Sequence, residues 1–338
     1  MYPYRVFLSY WSTERTLAMR VKQALQKLGL HVWWDHMLEP GRPFSEEIKV
    51  QIARSHLFLP LLTPDSIVRP WLHQETGFAM GASVPVLPIV VGDVEPVALI
   101  EQLHALRVHR VAELKNGLTE AVIHRRVEEA AESRPGIFEC IDLPERRSQV
   151  IARYAREAQR NGGGRIRHRG AMTSFALPDL PPDDPIWRER DGKVHRSRYL
   201  HEQQHQERLA LGKLAAKYRC DLVISPSIPL KENGPKARRI RLETLKQFLL
   251  DEQAYPDVNV VVQDHDKSDN LLIVGDFFCA ESITPEGGVG YKQTIFTWHA
   301  PTVLAKLREF DSQFARSAGR KSRQDAVAAI DREMKDLA

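Results

Sequence analysis

Cysteine is scarce in this chain of 338 residues: three occur, Cys140, Cys220 and Cys279, far apart and in no shared motif. An odd, scattered set excludes a disulfide scaffold and fits a reducing compartment. Long apolar runs are also missing. The stretch Val84 to Val91 is among the longest, far short of the roughly 18–20 residues that a membrane-spanning helix needs. The opening residues Met1-Tyr2-Pro3-Tyr4-Arg5 lack the layout of a signal peptide. A cytoplasmic protein is expected. Charge of one sign is not in excess either: 48 Lys and Arg against 44 Asp and Glu leave a formal net charge of +4. That is too little to imply a nucleic-acid partner by itself. No internal repeat is visible.

The length predicts two domains. The first third alternates strand and helix patterns. Arg5 to Tyr10 is a short apolar run, and Thr13 to Leu28 carries Leu17, Val21, Ala24, Leu25 and Leu28 at helical spacing before Gly29. Leu30 to Trp34, His56 to Leu62 and Val84 to Val91 read as strands. Phe44 to Arg54, Pro70 to Gly81 and Leu118 to Glu132 read as helices, the second with Pro at its first position. Such alternation builds a parallel sheet covered by helices on both faces. The domain is expected over 1–134, with a linker at 135–143.

A second α/β domain is expected over 144–316. Helices are read at Pro144 to Arg160, Arg196 to Arg219, Arg238 to Asp251 and Pro301 to Phe314. Strands are read at Asp221 to Ser225, Val258 to Gln263, Asn270 to Ala280 and Tyr291 to Thr297. Residues 161–194, rich in Gly, Pro, Arg and Asp, read mostly as loop, and 317–338 as a charged tail with a short exposed helix.

Several motifs fall in order in the first domain. They are Phe7-Leu8-Ser9-Tyr10 with Glu14, Gly29-Leu30-His31-Val32-Trp33-Trp34-Asp35, and Leu38 to Phe44. Then come Leu59-Pro60-Leu61-Leu62-Thr63-Pro64-Asp65-Ser66 and Trp71-Leu72-His73-Gln74-Glu75. Together they resemble the Toll/interleukin-1 receptor (TIR) domain family, of the prokaryotic, NAD-cleaving, antiviral-effector kind, over about two fifths of the chain. Three positions depart from its pattern: Glu14 where Asp is usual, Leu72 where Cys is frequent, and Arg69 where Ser is frequent. The resemblance implies a flavodoxin-like sheet with a site beyond the carboxyl ends of its strands. It implies Glu75 as the catalytic carboxylate, with Ser9, Tyr10, Trp34, Arg42 and Trp71 binding the substrate. NAD+ would be that substrate, with no separate cofactor. The family also implies a homo-oligomer formed through TIR domains, and a partner domain that senses a signal, often a cyclic nucleotide. A cyclase making a cyclic ADP-ribose-type messenger and a non-enzymatic adaptor or virulence decoy remain open at this point.

The second domain offers weaker signals. Arg165, Arg167 and Arg169 follow Asn161-Gly162-Gly163-Gly164, and Arg239 and Arg241 belong to a basic run at a helix start. These five are candidates for a small anionic effector ligand, although a solvated face is the blander reading. His201-Glu202-Gln203-Gln204-His205 has the letters of a zinc-protease helix. Its neighbours are polar, and no third ligand follows at a familiar spacing, so no metal is expected. Asp264-His265-Asp266 with Asp276 and Glu281 reads as turn chemistry. No family is assigned to residues 137–338.

Overall fold

The computed structural model describes residues 4–34, 46–95, 100, 103–133, 138–141, 144–170, 172–187, 198–227, 234–263, 270–283, 293–317 and 322–337. The chain folds as two compact units. The first is Met1–Phe138 with Thr297–Ala305, and the second is Glu139–Phe296 with Lys306–Ala338.

The first unit runs β1 (Arg5–Ser9), α1 (Arg15–Lys27), β2 (His31–Trp34), α2 (Glu46–Ala53), β3 (Leu57–Leu62) and α3 (Pro70–Gly81). Then follow β4 (Ile89–Val91), β5 (Leu106–Val108), α4 (Leu114–Gly117) and α5 (Glu120–Ser133). The strands form one sheet in the order β2-β1-β3-β4-β5, every neighbouring pair parallel. This is the flavodoxin-like arrangement. Because successive side chains of a strand point to opposite faces, β1 feeds two cores. Val6 and Leu8 join Ala18, Val21, Leu25 and Val127. Phe7 joins Ile48, Ile52, Phe58 and Ala79 and stacks on Trp33 at 4.7 Å. Burial on both sides explains why β3, Leu57 to Leu62, reads as an unbroken apolar run.

The second unit runs β6 (Phe138–Ile141), α6 (Pro144–Arg160), β7 (Ile166–Gly170), α7 (Arg198–Ala215), β8 (Cys220–Ile224), α8 (Pro235–Leu250) and β9 (Val258–Val262). It continues with β10 (Asn270–Val274), β11 (Phe278–Ile283), β12 (Gln293–Thr297), α9 (Ala300–Arg316) and α10 (Arg323–Asp336). Its seven strands lie in the order β6-β12-β11-β10-β7-β8-β9. β7, β8 and β9 are parallel, and β10 is antiparallel to both β7 and β11.

The structure differs from the sequence reading in several places. The stretch Asn270 to Ala280, read as one strand, is the antiparallel pair β10 and β11, because the chain turns at Gly275, where φ is 63°. The fourth strand is shorter than Val84–Val91, because Pro85 and Pro88 have no N–H to give to a ladder. A strand, β7, lies within the expected loop: its basic side chains are buried in ion pairs that hide its apolar pattern. The expected charged tail contains α10, capped by the Ser322 hydroxyl, which accepts from Asp325 N–H. Its inner face, Ala326, Ala329 and Ile330, is buried.

A further difference concerns Thr297–Ala305, which folds with the first unit. Leu304 is 2% exposed in the core around Val6 and Val21. His299 is 1% exposed, and its Nε2 donates to the Ser83 carbonyl at 2.8 Å across 216 residues of sequence. Nδ1 then accepts from the Thr302 hydroxyl at 2.8 Å. Burial lowers the imidazole pKa below its ordinary 6.5, so the ring is neutral near pH 7. Ser83 has a φ of 57°, alone among the described non-glycine residues in being positive. The His299 bond therefore secures a strained turn. Leu304→Ala is expected to destabilise the first unit by about 2–5 kcal/mol, and His299→Ala by about 1–3 kcal/mol. Urea denaturation followed by tryptophan fluorescence measures both, since every tryptophan except Trp187 lies in the first unit.

Candidate active site

Parallel pairing brings the carboxyl ends of β1, β2 and β3 to one edge, with Leu8 opposite Trp34 and Ser9 opposite Pro60. Ser9 is buried there, and its Oγ has no hydrogen-bond partner among the described residues. Tyr10 stacks on Trp34 at 5.6 Å, and the Lys22 ammonium sits 4.5 Å from the centre of the Trp34 ring. Trp71 stacks with Trp11 at 6.4 Å and an angle of 27°. The Arg69 guanidinium covers Trp11 at 4.4 Å. The aromatic residues named from sequence therefore form two pairs, Tyr10 with Trp34 and Trp71 with Trp11. Trp11 was missed by sequence reasoning, although it directly follows Tyr10.

The segment between β3 and α3 is fixed by a buried knot. Thr63 N–H donates to Ser66 Oγ at 2.9 Å, and Ser66 N–H donates to Thr63 Oγ1 at 3.2 Å. The Ser66 hydroxyl donates back to the Leu61 carbonyl at 2.8 Å. Thr63 Oγ1 donates to the Glu14 carboxylate. Burial raises the pKa of that carboxyl above its ordinary value, against the opposing pull of the Thr63 bond. The knot sets where α3 starts. Arg69 is extended at its N-cap and Pro70 opens the helix, where a missing N–H costs nothing. His73 Nε2 holds the Ile67 carbonyl at 2.9 Å.

Glu75 lies on α3 one turn after Trp71, so the two share a helix face. It is 1% exposed, beside the fully buried Thr76. A carboxylate removed from bulk water acts on a nearby developing cation with little dielectric screening. Arg42 and the rest of the 36–44 loop lie outside the described residues, as does Asp264-His265-Asp266.

In the second unit three of the five arginines named from sequence, Arg165, Arg167 and Arg169, lie against carboxylates. Arg165 Nε donates to Asp221 at 2.8 Å, and Arg167 holds Asp311 at 2.8 and 3.1 Å. Arg169 bonds Gln313 and lies 3.5 Å from Glu309. Arg239 is exposed and Arg241 is half-buried on α8. His201 meets the Trp187 ring edge-on at 6.3 Å, and His205 lies 3.8 Å from Asp179.

The first unit is an open, doubly wound α/β domain with its polar and aromatic groups gathered at one sheet edge. Residues 6–122 match the family described as TIR domain, and this part of the chain is a TIR domain. Among solved structures, the TIR domain of the Toll-related receptor TRR-2 from Hydra magnipapillata is similar at 17% identity. That likeness covers 36% of this chain and 96% of that one, with a TM-score of 0.30. TrmBL2, an archaeal chromatin protein described with a novel mode of DNA binding, is similar at 10% identity. It covers 61% of this chain and 62% of that one, with a TM-score of 0.31. At such scores neither likeness bears on function. No curated protein matches the chain.

One buried histidine gives the second unit a pH dependence. His168 on β7 is fully enclosed, and its Nε2 lies 3.3 Å from Asn270 Oδ1. Burial, reinforced by the Arg147 charge, lowers its pKa from 6.5 to about 4. The folded state thus keeps the ring neutral, while the unfolded chain protonates it. The stability it confers is complete above pH 6.5 and is lost as the pH falls toward 4. The loss is on the order of 3 kcal/mol. Hydrogen exchange of β7 and β8 amides, corrected for intrinsic rates, should show protection falling across that window. His168→Asn should flatten the slope.

Proposed function

We propose that the TIR domain cleaves the N-glycosidic bond of NAD+, with Glu75 as the carboxylate that stabilises the transition state. The observation that carries the reading is the buried Glu75, held one turn behind Trp71 on a helix whose start is locked to β3. The pyridinium of NAD+ needs no general acid. As the C1′–N bond breaks, its electron pair moves to the ring nitrogen and nicotinamide leaves neutral. Positive charge passes to the ribose C1′ and ring oxygen, as in glycoside hydrolysis. A fixed negative charge favours that state over the ground state, which is how binding energy becomes rate. Water then bonds to C1′ and gives up a proton, leaving ADP-ribose. Trp11 and Trp34 are already covered by Arg69 and Lys22, so the faces suited to hold the flat cationic ring are those of Trp71 and Tyr10. Self-association of TIR domains, governed by the second unit, would confine turnover to an activated assembly that depletes NAD+ in antiviral defence. A ligand would shift that equilibrium only by its preference for the associated form.

Glu75→Gln keeps the shape of the side chain and removes its charge. It should lower nicotinamide release by roughly a hundredfold or more while leaving the melting temperature near that of the parent, the usual cost of removing one electrostatic stabiliser. Chromatography of NAD+ incubated with concentrated full-length protein provides the measurement. Retained turnover in the variant would refute the role of Glu75. No nicotinamide release from the parent under any activator would leave the domain an adaptor.

A further inference from the structure

Two sets of basic residues in the second unit contrast in their partners. Arg165, Arg167 and Arg219 converge on the buried Asp221 and on Asp311. Arg147 meets the 2%-exposed Glu207 at 3.3 Å, and Arg238 meets Glu333 at 2.9 Å. The second group is Arg153, Arg156 and Arg160 of α6 and Lys213 of α7. All four are exposed, all line one open groove of about 510 Å³, and among the described residues no carboxylate lines it with them. None has a salt bridge among the described residues. Arg156 is instead held across the groove by the side-chain oxygen of Gln206 at 2.6 Å. Leu209, 45% exposed, lies in the same wall.

A cation in the last turn of a helix is favoured by the helix dipole alone. That accounts for Arg160 and Lys213, each in the last turn of its helix. It does not account for Arg153 and Arg156, which stand a turn or more further in. Like charges at such spacing repel along a helix, and two helices here add their cations to one concave surface. Uncompensated positive charge in a groove focuses field on an incoming anion. Guanidinium groups pair with phosphate oxygens two at a time, and the volume suits one small molecule rather than a polymer.

We propose that the α6–α7 groove binds a small organic polyphosphate. Its phosphates would lie on Arg153, Arg156, Arg160 and Lys213, and a flat apolar portion would cover Leu209. The groove belongs to the second unit and Glu75 to the first, and the proposal stands whether or not Glu75 acts on NAD+.

Calorimetric titration of the full-length chain at physiological salt tests the site with two probes, inorganic tripolyphosphate and ATP. Both should bind, ATP the tighter because its base adds apolar contact. Arg156→Ala should weaken both by about tenfold or more. Arg153→Glu with Arg156→Glu should abolish binding. Leu209→Ser should weaken ATP alone. Arg125→Glu with Arg126→Glu, the same charge change made on α5 of the first unit, should leave both intact. Three results would overturn the proposal. They are no binding of either probe at millimolar concentration, binding indifferent to the α6 reversals, and loss with the α5 reversals as great as with those of α6. Tight capture of a single-stranded DNA oligomer through the same arginines, with neither small probe bound, would overturn it in favour of a nucleic-acid surface.

Discussion

The knot formed by Thr63, Ser66 and Glu14 is the interaction on which the candidate site depends. It closes the chain immediately after β3 and ties that strand end to the segment after β1. α3 can then begin only where Arg69 and Pro70 place it. The Thr63 and Ser66 hydroxyls and the N–H groups of both residues are all engaged, with one another, with Glu14 or with the Leu61 carbonyl. A buried group left without its partner costs more than the bond itself contributes, so the geometry is held from several sides at once. Trp71 and Glu75 inherit their positions from it. The backbone position of the α3 carboxylate is therefore set by the turn that starts its helix.

The sheet supplies the other half of that placement. With β2, β1 and β3 parallel and adjacent, their carboxyl ends share an edge, and residues far apart in sequence arrive there together. Open α/β sheets bind ligands at such edges. The aromatic residues do not stand singly there. Tyr10 and Trp34 brace one another, as do Trp11 and Trp71, and Arg69 and Lys22 each cover a ring. Pairing of this kind fixes ring planes, and a preset plane reduces the ordering cost of binding any flat ligand.

Much of this was legible from residues alone. The apolar runs of β1 and β3, the helical spacing of Leu17 to Leu28, and the helix opened by Pro70 each state their structure locally. β5 was not legible, because Leu106-Arg107-Val108 is three residues long with an exposed arginine at its centre. β7 was not, because Arg167 and Arg169 read as solvated charge until Asp311 and Gln313 are seen beside them. The return of Thr297–Ala305 to the first unit has no local signature: His299 and Leu304 look like ordinary residues of a strand end and a helix face. The α6–α7 groove escaped for the same reason, since its two walls come from helices separated by a strand and a long connection. Local pattern reports what a residue does within its own element, and these features arise between elements.

The central claim is that charge develops on the ribose of NAD+ opposite Glu75 while nicotinamide departs. Hydrogen and deuterium at C1′ report that directly. The carbon flattens as the bond breaks, which loosens the bending of its C–H bond. Competing NAD+ labelled with deuterium at C1′ against unlabelled NAD+, on the full-length protein, measures the effect on kcat/KM for nicotinamide release. The account predicts a normal secondary isotope effect, with the light substrate faster. No isotope discrimination, or an inverse effect, would contradict it.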